Sequence, residues 1–169
     1  MDGVRSLATY SLDEDEYNVD FALMERYQAF STELLRLCLV LLAAYGFLIK
    51  EVLFAEHPQQ QLQSAFKSAE LALLVGTASI GLAATAALAH RYFSTDGAGH
   101  QIAYLRLCAM EKDLSQLSES RLAQKSREHA RMIRLYKLSM WCLRIAAGML
   151  AVGTASVAVL FFVTLIQWN

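Results

Sequence analysis

The stretch Leu71 to Ala89 reads LALLVGTASIGLAATAALA and contains no charged side chain. About 20 helical residues are needed to cross a hydrocarbon core of about 30 Å, so this run reads as a membrane span. Two further runs share its character. Ile145 to Ile166 is also free of charge, and Leu34 to Phe54 carries only Arg36, Lys50 and Glu51 near its ends, where long side chains reach the headgroups. The chain is therefore expected to be all-α: a polytopic membrane protein with three transmembrane helices and a cytoplasmic helical hairpin between helices two and three.

Composition agrees with that reading. Hydrophobic residues make up 56% of the 169 residues, and the mean hydropathy is +0.32. The chain is too short for a soluble domain of usual size beside three spans. Its opening segment is polar and acidic, with Asp13, Glu14, Asp15 and Glu16. A secretory leader begins with a basic patch and then an apolar run, so the first span is expected to serve as the insertion signal.

Orientation follows from where basic residues collect. The connection from Arg91 to Ser139 holds Arg91, Arg106, Lys112, Arg121, Lys125, Arg127, Arg131, Arg134 and Lys137, whereas Ala55 to Ala69 holds only Lys67. The basic connection is expected in the cytoplasm of a plasma or inner membrane, with the N-terminus cytoplasmic and the C-terminus external. The parts are then a cytoplasmic acidic segment and amphipathic helix (1–33), span one (34–54), a short external loop (55–70), span two (71–90), the basic hairpin (91–139) and span three (140–168). Within 1–33, Phe21, Leu23, Met24, Tyr27 and Phe30 alternate with polar residues as in a partly buried helix.

The hairpin is read from His100 onward, where good helix formers run to Ala147 without Pro or Gly. Ser94-Thr95-Asp96-Gly97-Ala98-Gly99 reads as a breaker before it, and the slip near Ser118 reads as the turn between two coiled-coil-like arms. The acidic N-terminus is a candidate to face Arg127, Arg131 and Arg134. Together with Lys137, those three are also candidates for anionic-lipid contact, where each basic side chain contributes about 1 kcal/mol near the surface.

Within the bilayer, small residues decide which helix faces meet. Ala72, Gly76, Ser79, Ala83 and Ala86 recur at steps of four and three along span two, and Ala147, Ala151, Thr154 and Ala158 do so along span three. These nine positions are the candidate helix-packing and oligomerisation residues. A near-repeat accompanies them: Val-Gly-Thr-Ala-Ser occurs at Val75 to Ser79 and again at Val152 to Ser156. Its flanks do not match well and span one has no counterpart, so it reads as two small-residue helices of similar composition rather than an inverted repeat.

Catalytic patterns are missing. Ser126, Glu128 and His129 are neighbours in sequence, but a triad needs each group to orient the next. Cys38, Cys108 and Cys142 form no Cys-x-x-Cys pair and no zinc spacing with histidine. Asp96-Gly97-Ala98-Gly99 lacks the remainder of a phosphate-binding loop. No ionisable residue sits at mid-span, which disfavours an ion-coupled transporter. The expectation is a non-enzymatic integral membrane protein that works by helix-mediated oligomeric assembly, with pore formation or membrane-effector action as its further reach. An accessory or scaffold subunit of a larger membrane complex is the alternative. The expected partners are the lipid bilayer and either a second copy or another membrane subunit, with no nucleic acid, no cofactor and no metal.

Overall fold

The structure is a computed structural model that describes residues 14–53, 70–114 and 118–168. Three helices account for them: α1 (Glu14–Leu53), α2 (Glu70–Leu114) and α3 (Glu119–Trp168). Their lengths are 40, 45 and 50 residues, which at 1.5 Å per residue corresponds to roughly 60, 68 and 75 Å. All three are long and apolar enough to cross a membrane. The expected external loop lies outside the described residues except for Glu70, as does Asp13 of the acidic run, and the side chains of Glu14 to Glu16 are likewise not described.

Local chemistry explains the helix ends. At the start of α3 the Ser118 carbonyl accepts hydrogen bonds from the amides of Arg121 at 2.9 Å and Leu122 at 3.1 Å. Glu119 in that first turn, Glu70 in the first turn of α2 and Lys50 in the last turn of α1 each complement the helix dipole. The helix start expected near Ser118 is thus where α3 begins.

The breaker expected at Ser94 to Gly99 is not one. α2 passes through it without interruption. The glycine there serves packing: a Cβ on Gly97 would sit 3.2 Å from Tyr136 Cε1 and 3.5 Å from Leu135 Cβ. Thr95 stays helical by donating its hydroxyl to the Arg91 carbonyl at 2.9 Å. A glycine inside a helix costs roughly 0.5–1 kcal/mol relative to alanine, and here the close approach of another helix offsets it.

Two compact units make up the chain. One, the apolar bundle, comprises residues 30–88 and 142–169. Its core contains Leu34, Cys38, Tyr45, Ile80, Ala83, Ala87, Leu143, Ala146 and Leu150. Many of its larger apolar side chains face outward instead, among them Leu39, Phe47, Leu71, Leu74, Leu82 and Phe162. Large apolar side chains on the outside are what lipid tolerates, since tails solvate leucine as well as a protein core does.

The other, the polar bundle, comprises residues 1–29 and 89–141. Here the segments of α2 and α3 run antiparallel, with His90 against Ser139, His100 against Glu128, and Glu111 against Lys125. Leu107 and Met110 are buried. The segment of α1 before Phe30 joins this unit through Met24, whose Sδ lies 3.1 Å from Tyr136 Oη.

Candidate functional site

Two sets of side chains stand out, one in each unit. In the apolar bundle the two copies of Val-Gly-Thr-Ala-Ser meet each other. A Cβ on Gly76 would lie 3.0 Å from Ser156 Cβ and would collide with Tyr45 Oη. A Cβ on Gly153 would collide with Ile80 Cγ1 and stand 3.4 Å from the Gly76 carbonyl oxygen. Each repeat thus supplies the glycine that lets the other helix approach. The repeat was visible in the sequence, but its flanks pointed to coincidence of composition; the antiparallel crossing gives both copies the same packing requirement.

The nine small-residue positions divide unevenly. On α2, Gly76, Ser79 and Ala83 are buried, with Ala72 and Ala86 partly so. On α3, Ala147, Ala151, Thr154 and Ala158 are all exposed, while Leu143, Ala146, Leu150, Gly153 and Leu160 fill the interior. The α2 line is therefore used within the chain and the α3 line faces outward. Gly148 adds to that outward surface, with no atom within 4 Å of the place its Cβ would take.

Four hydroxyl groups in these helices are satisfied locally, whereas the buried Tyr45 hydroxyl has no hydrogen-bond partner among the described residues. Thr77 donates to the Leu73 carbonyl at 2.9 Å, Thr85 to Gly81 at 3.0 Å, Thr154 to Leu150 at 2.8 Å and Ser156 to Val152 at 3.0 Å. Each bond closes on the same helix four residues back, so no side-chain partner on another helix is required.

The polar bundle is organised around His90, which is 1% exposed. Its Nδ1 lies 2.9 Å from the Ser139 carbonyl oxygen and 2.7 Å from Ser139 Oγ. A carbonyl can only accept, so Nδ1 is the donor in that contact. The Ser139 hydroxyl is then free to point its hydrogen toward the His90 carbonyl, 3.4 Å away. Nε2 is buried and has no hydrogen-bond partner.

Farther along the same helix pair, Tyr136 Oη donates to Gln101 Oε1 at 2.5 Å, and His100 Nδ1 meets Glu128 Oε2 at 2.5 Å. Lys125 donates to Glu111 and stands 5.8 Å from the centroid of the Tyr104 ring. The hydrogen bond to Glu111 holds the Lys125 ammonium above its ordinary value. Neither Glu128 nor His129 forms a triad with Ser126: Glu128 turns to His100, and His129 stacks at 5.0 Å on Tyr104. Arg127, Arg131, Arg134 and Lys137 are exposed. Among the described residues no group of three or more His, Cys, Asp or Glu side chains is placed to hold a metal ion.

Comparison with protein-family models, curated proteins and solved structures finds no match.

Proposed function

We propose that this chain is a non-enzymatic integral membrane protein that works by assembling with copies of itself through the outward small-residue face of α3. The observation carrying this reading is the unequal use of the two small-residue lines. That of α2 is buried inside the chain, whereas Ala147, Ala151, Thr154 and Ala158 are exposed on a helix apolar enough to span a membrane. In lipid there is no hydrophobic drive between helices, and association rests on close backbone approach at small residues. An outward line of this kind is a surface on which another helix gains contacts that lipid does not supply.

The apolar bundle would then lie in the bilayer and the polar bundle in the cytoplasm, with the N-terminus cytoplasmic and the C-terminus external. Support for this placement is the basic excess between spans two and three. Exposed Arg127, Arg131, Arg134 and Lys137 then face anionic headgroups or solvent.

Cysteine cross-linking in membranes tests the assembly face. In a background lacking Cys38, Cys108 and Cys142, Ala151→Cys should give a disulfide-linked dimer on mild oxidation, and Leu82→Cys on the exposed side of α2 should not. Equal cross-linking at both positions, or at neither, contradicts the assignment of the face. A stoichiometric adduct of Ala151→Cys with a different chain would instead make this an accessory subunit of a larger complex.

A further inference from the structure

In the polar bundle the exposed side of α3 carries Arg127, Arg131, Arg134 and Lys137. Glu128 is the only acid between Arg127 and Lys137, and it turns to His100. Among the described residues no carboxylate pairs with any of the four bases. We propose that the acidic N-terminal stretch of α1 from a second copy docks along this face, its carboxylates set against the arginines in trans. The contact rests on the self-assembly proposed above and names a second surface of it.

The first observation is where the chain's own α1 lies. It reaches α3 through Met24, whose Sδ is 3.1 Å from Tyr136 Oη. At 3.6 residues per turn, Arg127, Arg131 and Arg134 lie roughly 140–180° round α3 from Tyr136. A helix with its side chains is about 10–12 Å across, so α1 of the same chain stands on the far side of α3 from these arginines. The acids expected to face them in sequence are therefore supplied from outside the chain.

The second is charge. From Glu14 to Ala29, α1 carries Glu14, Asp15, Glu16, Asp20 and Glu25 against Arg26 alone. An acidic helix stretch and a basic helix face are complementary, and complementarity of this kind fixes register and excludes wrong partners more than it adds affinity.

The third is level. Both α1 and α3 pass from the polar unit to the apolar unit toward their C-termini, so they run the same way, and copies held in one bilayer keep the same depth. Counted along α1 from Met24, Asp15 is nine residues back, Asp20 four back and Glu25 one forward. Counted along α3 from Tyr136, Arg127 is nine back, Arg131 five back and Lys137 one forward. Met24 and Tyr136 are in contact and so at one level. The acids of one copy and the bases of its neighbour thus come to matching heights.

Anionic lipid fits the upper part of the face poorly. Trp141 is 62% exposed, and such aromatic side chains sit at headgroup level. Arg127 is 14 residues from it, roughly 21 Å along the helix, against a screening length of about 8 Å at physiological salt. A segment of protein reaches that height and headgroups do not.

The acid-bearing and base-bearing helices are different surfaces, so the contact is head-to-tail. Each exposed pair contributes little; the pairs align copies that the α3 small-residue face already holds together.

Cross-linking between two distinguishable chains tests this. In the background lacking Cys38, Cys108 and Cys142, one chain carries Asp15→Cys and the other Arg127→Cys, and both are reconstituted in the same vesicles. Mild oxidation should give a mixed disulfide-linked dimer in excess of the dimers formed by either chain alone. Adding Arg131→Glu and Arg134→Glu to the Arg127→Cys chain should lower the yield about threefold or more. Asp20→Lys and Glu25→Lys on the Asp15→Cys chain should then restore it, a rescue that damage to the fold does not give. No mixed dimer while Ala151→Cys still cross-links would overturn this contact and leave the assembly standing. Failure at Ala151→Cys as well would overturn both. A yield indifferent to charge reversal, or an internal disulfide in a chain bearing both cysteines with no mixed dimer, would also overturn the proposal.

Discussion

The apolar bundle and the polar bundle are built from separate stretches of the same helices, yet several of their polar side chains are satisfied in different ways. In the apolar bundle Thr77, Thr85, Thr154 and Ser156 each bond to the carbonyl four residues back on the same helix. In the polar bundle His90, His100, Lys125 and Tyr136 reach across to another segment. Where no water is at hand, a hydroxyl satisfied by its own helix leaves the helix face apolar, and the fit between faces then depends on shape. Where water competes, directional contacts fix which residues oppose each other. Close approach at glycine holds one unit, and a ladder of hydrogen bonds holds the other.

That contrast predicts unequal responses to adding a single methyl group. Gly153→Ala pushes a carbon into Ile80 and should destabilise the apolar bundle by about 1–3 kcal/mol, read as a lower unfolding midpoint in detergent titrations. Gly81→Ala meets nothing within 4 Å and should stabilise by about 0.5–1 kcal/mol through helix propensity alone. Similar effects at both positions would mean that the crossing of the two Val-Gly-Thr-Ala-Ser copies is not close.

A smaller effect belongs to the polar bundle. Ser139→Ala removes one of the two partners of His90 Nδ1 but leaves the carbonyl in place. The expected loss is about 1 kcal/mol, together with faster amide exchange in residues 89–141 and unchanged exchange in the apolar bundle. If the apolar bundle responds equally, the two units do not depend on separate interactions.

The smallest effect is a pH dependence. Hydrogen bonding to Glu111 raises the Lys125 ammonium above its ordinary value, so the charged form is preferred in the folded chain. The resulting stabilisation is complete below the ordinary lysine range and is lost as pH rises through the raised value. Both partners are partly exposed, and solvent screening keeps the contribution slight. Alkaline titration should therefore loosen the Lys125–Glu111 end first, and Lys125→Met should abolish that step. A step persisting in Lys125→Met would assign the titration to another group.

Much of this architecture is legible in the sequence, because uncharged runs such as Leu71 to Ala89 admit few readings. The helix start at Ser118 and the small-residue line of α2 are also visible there. Other features are not. Gly97 and Gly99 beside Ser94, Thr95 and Asp96 carry every local mark of a turn, and only Tyr136, distant in sequence, shows that Gly97 serves contact. The α3 line at Ala147, Ala151, Thr154 and Ala158 has the same spacing as that of α2, but Leu143, Ala146 and Leu150 take the interior instead. Periodicity identifies lines on a helix and does not say which line meets a neighbour. His90 looks from sequence like the end of a span; its commitment to Ser139 arises from two helices brought together.

The central claim is that the α3 face left open by the chain's own packing is where copies meet. Native mass measurement of the purified protein in lipid nanodiscs tests it most directly, with Ala147, Ala151 and Ala158 unaltered or all changed to leucine. Because these three residues are exposed, the substitution leaves the interior of each copy intact. The account predicts a discrete homo-oligomer for the unaltered chain and a monomer for the variant. A monomer in both, or the same oligomer in both, would contradict it.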